Sequence, residues 1–187
     1  MSSYQTDLSR KWAVLSVALL LTACANPLNR HTSQHYADTC FEAEDNGRMQ
    51  LAEEACTRAL RNVEMGNLGD ALKSTRMYDL GRIKRQLGKF EEAADLQLES
   101  IRIAEVDPAF DDVARARRYA ELAMSLAALD RWRDGADWLV KVVPVRSKFD
   151  GAEAAFLEEV FARYATRMKR LGAESLARKF SSAISSD

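Results

Sequence analysis

Leu87-Gly88-Lys89-Phe90-Glu91-Glu92-Ala93 is the stretch on which the reading of this chain turns. Gly88 suits a residue that ends one helix in the left-handed conformation. Phe90 is placed to cover the corner, and Ala93 is small enough to let a second helix lie against the first. Glu91 and Glu92 fall in the first turn of that second helix, where carboxylates meet the positive end of the helix dipole. The stretch therefore reads as the turn of a helical hairpin.

Working outward, the same pattern recurs three times. Gly47, Gly88, Asp130 and Gly172 form one column, at spacings of 41, 42 and 42 residues. Two residues on stand Met49, Phe90, Trp132 and Glu174; five residues on stand Ala52, Ala93, Gly135 and Ala177. Upstream, large residues align as Tyr36, Met77, Tyr119 and Phe161, and small ones as Cys40, Gly81, Ala123 and Ala165. The column between them is Thr39, Leu80, Leu122 and Tyr164. Small residues permit close helix contact; the large ones fill the space between hairpins.

The 187 residues include only eight Gly and three Pro, with Ala, Leu, Glu and Arg prominent. Such a mixture favours helix, and no segment keeps the period-two alternation of a strand. Eight helices are expected near 33–46, 49–64, 70–87, 90–105, 109–129, 132–142, 150–171 and 173–184. Asp107-Pro108 reads as a helix start, and Asp150 as another after the break at Pro144. The 27 basic residues nearly balance the 28 acidic ones, so nucleic acid is not an expected partner.

LGKFEEAADLQLESIRIAE, and more weakly LDRWRDGADWLVKVV, resemble the tetratricopeptide repeat (TPR) family. The usual unit is ~34 residues; the longer spacing here is similar to the kinesin-light-chain type of repeat. The resemblance spans residues 33–184 and implies an all-α, right-handed superhelix (α-solenoid) of about four hairpins. It departs from the family pattern at Thr39 and Glu174, in the two end hairpins.

The first 23 residues read as an export signal. Arg10 and Lys11 precede an apolar run from Trp12 to Ala23, twelve residues long, against the ~20 that a spanning helix needs. Leu21-Thr22-Ala23-Cys24 resembles the lipobox of bacterial lipoproteins. This implies cleavage before Cys24 and acylation of that cysteine. Ala25 follows, without the acidic residue associated with inner-membrane retention, which implies the inner leaflet of the outer membrane with the domain in the periplasm. The expected organisation is signal peptide 1–23, lipidated cysteine and tether 24–32, and repeat domain 33–187.

The search for chemistry returns little. There is no glycine-rich phosphate loop, no HExxH, no GxSxG and no paired-cysteine zinc spacing. No cofactor, metal or catalytic residue is expected. His31, His35 and Cys40 come close in sequence but read as tether and first-helix residues. The adjacent carboxylates Glu53-Glu54, Glu91-Glu92 and Glu158-Glu159 are explained by helix starts. Cys40 and Cys56 fall on the two helices of the first hairpin and form either a disulfide or two small buried packing residues. Antiparallel pairing about Gly47 places Cys40 roughly opposite Ala52, with Cys56 one turn further along, so a bridge, whose Cα atoms lie within ~7 Å, needs some shift of register.

The family resemblance also implies a concave groove lined by the first helix of each repeat. Mapped onto this chain it gives Phe41, Glu44 and Asp45, then Thr75, Tyr78, Arg82, Arg85 and Gln86. The third repeat gives Arg117, Ala120, Met124 and Ala127, and the fourth Ala162, Thr166, Lys169 and Arg170. The expectation is a basic groove centre that takes an acidic peptide or protein segment with an apolar anchor. The implied role is a non-enzymatic scaffold or assembly adaptor at the outer membrane. The alternative is a structural envelope lipoprotein that self-associates into a homo-oligomer through its end repeats, with Phe156, Phe161 and Phe180 at the contact. A cell-wall-cleaving enzyme would need an acid–base pair that is not evident.

Overall fold

The computed structural model describes residues 26–184. The expected signal peptide and Cys24 lie outside the described residues. Among the described residues there are eight α-helices and no strand: α1 (Pro27–Asp45), α2 (Met49–Met65), α3 (Asp70–Gln86), α4 (Phe90–Val106), α5 (Asp112–Ala128), α6 (Trp132–Leu139), α7 (Gly151–Arg170) and α8 (Glu174–Ile184). A 3-10 turn, Val143–Lys148, separates α6 from α7. Consecutive helices pair as four hairpins, and each hairpin stacks on the next.

The turn column explains the repetition. Gly47, Gly88, Asp130 and Gly172 all have positive φ, at 68°, 77°, 58° and 71°. Each turn closes with the same two backbone bonds. In the second hairpin, Gly88 N–H donates to Arg85 O at 3.0 Å and Lys89 N–H to Lys84 O at 2.9 Å. Gly172 and Ala173 repeat this with Lys169 O and Met168 O, and Asp130 and Arg131 with Ala127 O and Leu126 O. These bonds satisfy carbonyls that a helix end leaves open. Asp130 tolerates the left-handed conformation because its short carboxylate is engaged. It accepts from Trp132 Nε1 at 2.9 Å and from Arg167 at 2.6 Å. The next helix begins two residues after each turn residue, at Met49, Phe90, Trp132 and Glu174.

Close helix contact follows from the small residues. A Cβ on Gly81 would lie 3.3 Å from Ala93 O and 3.0 Å from Gln97 Cγ. At Gly135 a Cβ would meet the Tyr164 hydroxyl, and would stand 3.1 Å from Ala123 O. That hydroxyl donates to Ala123 O at 2.6 Å, tying α7 to α5. Ser33 donates to Ala59 O at 2.9 Å and Ser74 to Ser100 O at 2.9 Å, the same link in the first and second hairpins.

Three expectations about element boundaries are corrected. Residues 27–32 are helix, not tether: the Asn26 side chain accepts from Leu28 N–H at 3.0 Å and Pro27 occupies the first turn. Asp107-Pro108 ends α4 instead of starting α5. Asp107 Oδ1 accepts from Ala109 N–H at 2.8 Å, and the tight turn carries Phe110 into the core. The N-cap of α5 is Asp111, which accepts from Ala114 N–H at 2.7 Å. Finally, α6 stops at Leu139, and residues up to Lys148 tighten into turn and 3-10 geometry around Pro144.

Cys40 and Cys56 are bonded, with Cα atoms 5.3 Å apart. The bridged pair is centred on residue 48, one residue past the middle of the 46–48 turn, so the shift of register that the bridge needs is a small one. The disulfide lies in a core cluster with Ala43, Ala52, Met77, Leu80 and Ile83. A larger cluster, including Leu139, Val160, Tyr164 and Phe180, fills the last two hairpins. Buried polar residues run between them: Ser74, Arg76, Asp79, Gln97, Ser100, Arg118, Glu121 and Ser125. Arg118 Nε donates to Ser100 Oγ at 2.9 Å, and Ser125 donates to Gln97 Oε1 at 2.8 Å.

Candidate functional site: the concave groove

The first helices of all four hairpins, α1, α3, α5 and α7, bound a cavity of about 580 Å³. Phe41 enters it from α1; Tyr78, Arg82, Arg85 and Gln86 from α3; Arg117, Ala120 and Glu121 from α5. The far wall is Phe149 with Ala152, Glu153, Phe156 and Leu157 at the start of α7. The structure therefore brings together Tyr78, Arg82, Arg85, Gln86 and Arg117, all expected from the sequence. Met124 points elsewhere: it is 9% exposed and belongs to the core cluster of the last two hairpins. Arg170 lines a separate depression with Trp132, Arg163 and Arg167, and Lys169 another with Glu174 and Arg178.

The groove is not basic. Arg82 donates two bonds to Glu44, at 2.6 and 2.5 Å, and Gln86 donates to the same carboxylate at 2.7 Å. Arg85 Nε donates to Glu121 at 2.7 Å. Arg117 donates to both oxygens of Glu153, at 2.6 and 2.8 Å. Each arginine thus pairs with a carboxylate from a neighbouring hairpin, and the pairs join α1 to α3, α3 to α5, and α5 to α7. The expected field for an acidic partner is cancelled by the stacking of the repeats. Burial works against the charge on Arg82, but the Glu44 carboxylate outweighs it and holds the guanidinium above its ordinary value. Glu153 does the same for Arg117 through its hydrogen bond.

What remains open to a ligand is aromatic. Burial pushes the Tyr78 hydroxyl well above its ordinary value, and burial also raises the Asp79 carboxyl next to it. Arg118 lies beneath, its guanidinium 5.0 Å from the Tyr78 ring centre and 4.3 Å from that of Phe110. Burial lowers the Arg118 value, which marks it as framework and not as a surface charge.

Phe149, Phe156, Leu157, Glu121 and Glu153 were not among the expected groove residues. A signal for part of this set is present in the sequence. Opposite charges 36 residues apart recur as Glu53–Lys89, Arg85–Glu121, Glu105–Lys141 and Arg117–Glu153. That separation links one helix to its counterpart in the next hairpin. Phe161 and Phe180 are fully buried with ring centres 6.0 Å apart. They are core residues, so they do not form the end face considered for self-association.

His31 and His35 are exposed on α1, away from the cavity. Among the described residues no group of three or more His, Cys, Asp or Glu side chains is placed to hold a metal ion. No described helix is long and apolar enough to cross a membrane.

Four hairpins around a concave cavity define an α-solenoid of the TPR-like type. No protein-family model matches the chain, and no curated protein matches it. Solved structures do. A crystal structure of nearly identical TPR-like repeats of kinesin-light-chain type from Podosopora anserina superposes with a TM-score of 0.61 at 18% identity, covering 81% of this chain and 74% of that one. A crystal structure of a variant of the same repeats gives the same figures. The chain has the TPR-like fold.

Proposed function

We propose that this chain is a lipid-anchored adaptor on the periplasmic face of the outer membrane, binding a peptide or protein segment in its concave groove. The observation that carries the reading is the 580 Å³ cavity between four first helices, walled by Phe41, Tyr78, Phe149 and Phe156. Its lining is suited to binding: aromatic faces with charge-paired rims, and neither histidine of the chain among them. The occupant that fits is a segment with an aromatic or aliphatic anchor flanked by polar residues. An acidic segment gains an arginine only by displacing Glu44, Glu121 or Glu153.

The address rests on the resemblance of Leu21–Cys24 to a lipobox and on the residue after it. The Cys40–Cys56 disulfide supports an oxidising compartment such as the periplasm. Binding catalysed by none of these residues is the simplest use of the surface, and scaffolding or assembly is the corresponding role.

The test is crosslinking in cells followed by mass spectrometry, on the wild-type chain and on Ala152→Trp. Ala152 is exposed, lines the groove and takes part in none of its ion pairs, so a bulky side chain there fills the groove without unstacking the hairpins. The expected result is loss of the wild-type crosslinked partner at unchanged melting behaviour. Equal recovery of that partner by the variant rejects the groove. For the address, Cys24→Ser should move the protein from the membrane to the soluble fraction. Retention on the membrane rejects the anchor.

A further inference from the structure

The five large hydrophobic side chains that remain exposed among the described residues are not evenly spread. Leu28, Met65 and Val106 are the most exposed, at 69%, 71% and 82%, against 36% for Phe41 and 40% for Leu51. Leu28 is the second residue of α1, Met65 ends α2 and Val106 ends α4. All three therefore stand on the edge where one hairpin passes to the next, opposite the edge that carries the turns at Gly47 and Gly88.

Two of the three positions meet at one corner, and the third lies further along the same edge. Asn26 N–H donates to Gly66 O at 3.3 Å, and a Cβ on Gly66 would lie 2.6 Å from Asn29 Cβ. The start of α1 and the end of α2 thus form one corner. Further along, Asp70, at the start of α3, lines a shallow hollow of about 450 Å³ with Ile103, Val106 and Pro108. Single exposed hydrophobic residues are ordinary on a protein surface. Three on one edge, at the corner where the chain arrives from Cys24, are a different matter.

The arrival is what identifies the occupant. Only Ala25 and Asn26 separate Cys24 from Pro27, the first residue of α1. Three residue steps reach at most ~10 Å. The interfacial layer on each side of a bilayer is roughly 5–8 Å deep. With an acyl group on Cys24, the start of α1 therefore stands at most a few ångströms beyond the headgroups, which keeps the edge that carries it beside the membrane. We infer that the edge bearing Leu28, Met65 and Val106 rests on the phospholipid surface that holds the anchor. This inference depends on the lipid-anchor reading of Cys24.

The charges around the edge fit a zwitterionic surface. Exposed Arg30 and Arg61 lie within a turn of the corner, where a guanidinium reaches headgroup phosphate while its stem covers apolar surface. Asp70 and Asp107 flank Val106 and face the ammonium groups of the same lipids. The opposite edge has the in-register basic residues Arg48, Lys89 and Arg131 and lies one helix length away. For a 17-residue helix that is roughly 25 Å.

The experiment uses the full chain in cells, with a photoreactive benzoylphenylalanine installed singly at Leu28, Met65 or Val106. Arg48, Lys89 and Arg131 serve as controls on the opposite edge. After irradiation, phospholipid adducts are measured by mass spectrometry of the purified protein. The expected result is at least tenfold more adduct at the first three positions than at the controls. Equal adduct at both edges, or protein–protein adducts at twice the mass from the first three positions, overturns the inference. Intact mass of the same samples separates the two readings. A diacylglyceryl-bearing Cys24 without lipid adducts at the edge rejects the edge alone. A Cys24 without lipid rejects the anchor, and the edge inference falls with it.

Discussion

Replacing Arg85 asks whether the groove arginines serve the stacking of hairpins or wait for a ligand. Arg85 on α3 pairs with Glu121 on α5 at 2.7 Å, with side-chain exposures of 18% and 7%. Arg85→Gln leaves the Glu121 carboxylate nearly enclosed beside Tyr78, without its hydrogen-bonded cation and with only the more distant charge of Arg82 acting on it. Removing one member of a fully buried pair costs about 3–5 kcal/mol. The partial exposure of Arg85 lets water and the neutral amide take up part of that loss, so about 2 kcal/mol is expected. Glu121→Gln leaves a guanidinium with access to water and should cost about 1 kcal/mol. The double variant has neither stranded charge, and its cost should fall short of the two singles added together by about 1–2 kcal/mol. With an m-value of about 2 kcal/mol per molar urea, Arg85→Gln moves the unfolding midpoint down by about 1 M. Urea titrations of the four proteins, followed by far-ultraviolet circular dichroism, supply the cycle. An Arg85→Gln midpoint within ~0.2 M of wild type, together with strict additivity, would refute the reasoning. Arg85 would then be a free groove cation, as the sequence alone suggests.

Three other perturbations probe separate parts of the same construction. Gly135→Ala forces a methyl group onto the Tyr164 hydroxyl, which is fully buried and bonded to Ala123 O. Overpacking and the lost hydrogen bond outweigh the better helix propensity of Ala, for a net loss of about 2 kcal/mol. Gly81→Ala meets the flexible Gln97 side chain first and should cost less, and equal melting temperatures for the two variants would contradict this packing. In acid, Glu53 and Glu105 are the groups to watch: hydrogen bonds from Lys89 and from Lys141, respectively, hold their carboxyls below the ordinary value of 4.5. A depressed carboxylate stabilises the fold above 4.5 and loses that contribution as pH falls through its lower folded value. Glu53→Gln should therefore flatten the fall in melting temperature below pH 4.5, and an unchanged profile would count against the pair. Cys40 and Cys56 should resist thiol labelling until the protein is reduced, and reduction should cost about 3 kcal/mol for a loop of this length. Two labelled thiols before reduction would exclude the bridge.

The hairpins were legible because a helix turn makes the same demand each time it is built. One residue must accept positive φ, the next helix must start two residues later, and a small residue must stand where the helices touch. Asp130 obeys this rule although it is not glycine, since its carboxylate gains Trp132 and Arg167 as partners. The groove was only half legible. Tyr78, Arg82, Arg85, Gln86 and Arg117 could be placed by repeat register, because register determines which face of a helix looks inward. Their ion-pair partners could not, because those lie one hairpin away. The pairing of Arg117 with Glu153 crosses from one repeat to the next, and alignment of repeats in columns hides contacts between columns. Met124 failed for a related reason: α5 is an inner first helix, packed by hairpins on both sides, and most of its last three turns, Met124 included, are buried. The start of α1 was written in Asn26-Pro27, a side-chain cap followed by a first-turn proline, but the nearby resemblance to a lipobox made those residues read as a tether.

The proposed contact of the helix-end edge with a membrane bears on what the groove can do. In that proposed placement the helices rise from the lipid surface and the solenoid axis runs along it. The cavity between α1, α3, α5 and α7 follows that axis, so a segment bound there lies across the face of the domain, parallel to the lipid. The turn edge, with Arg48, Lys89 and Arg131, then faces away from the bilayer. A partner that is itself anchored in the membrane reaches the groove without crossing the domain, whereas one arriving from the periplasm meets the basic turn edge first. Arg48→Glu with Lys89→Glu distinguishes these routes, since neither residue lines the groove. Because Lys89 also pairs with Glu53, the control is Glu53→Gln, which removes that pair without reversing the edge. Slower capture of a partner by the charge-reversed protein, with the control unaffected, indicates approach over the turn edge; identical association rates for all three proteins indicate approach along the membrane.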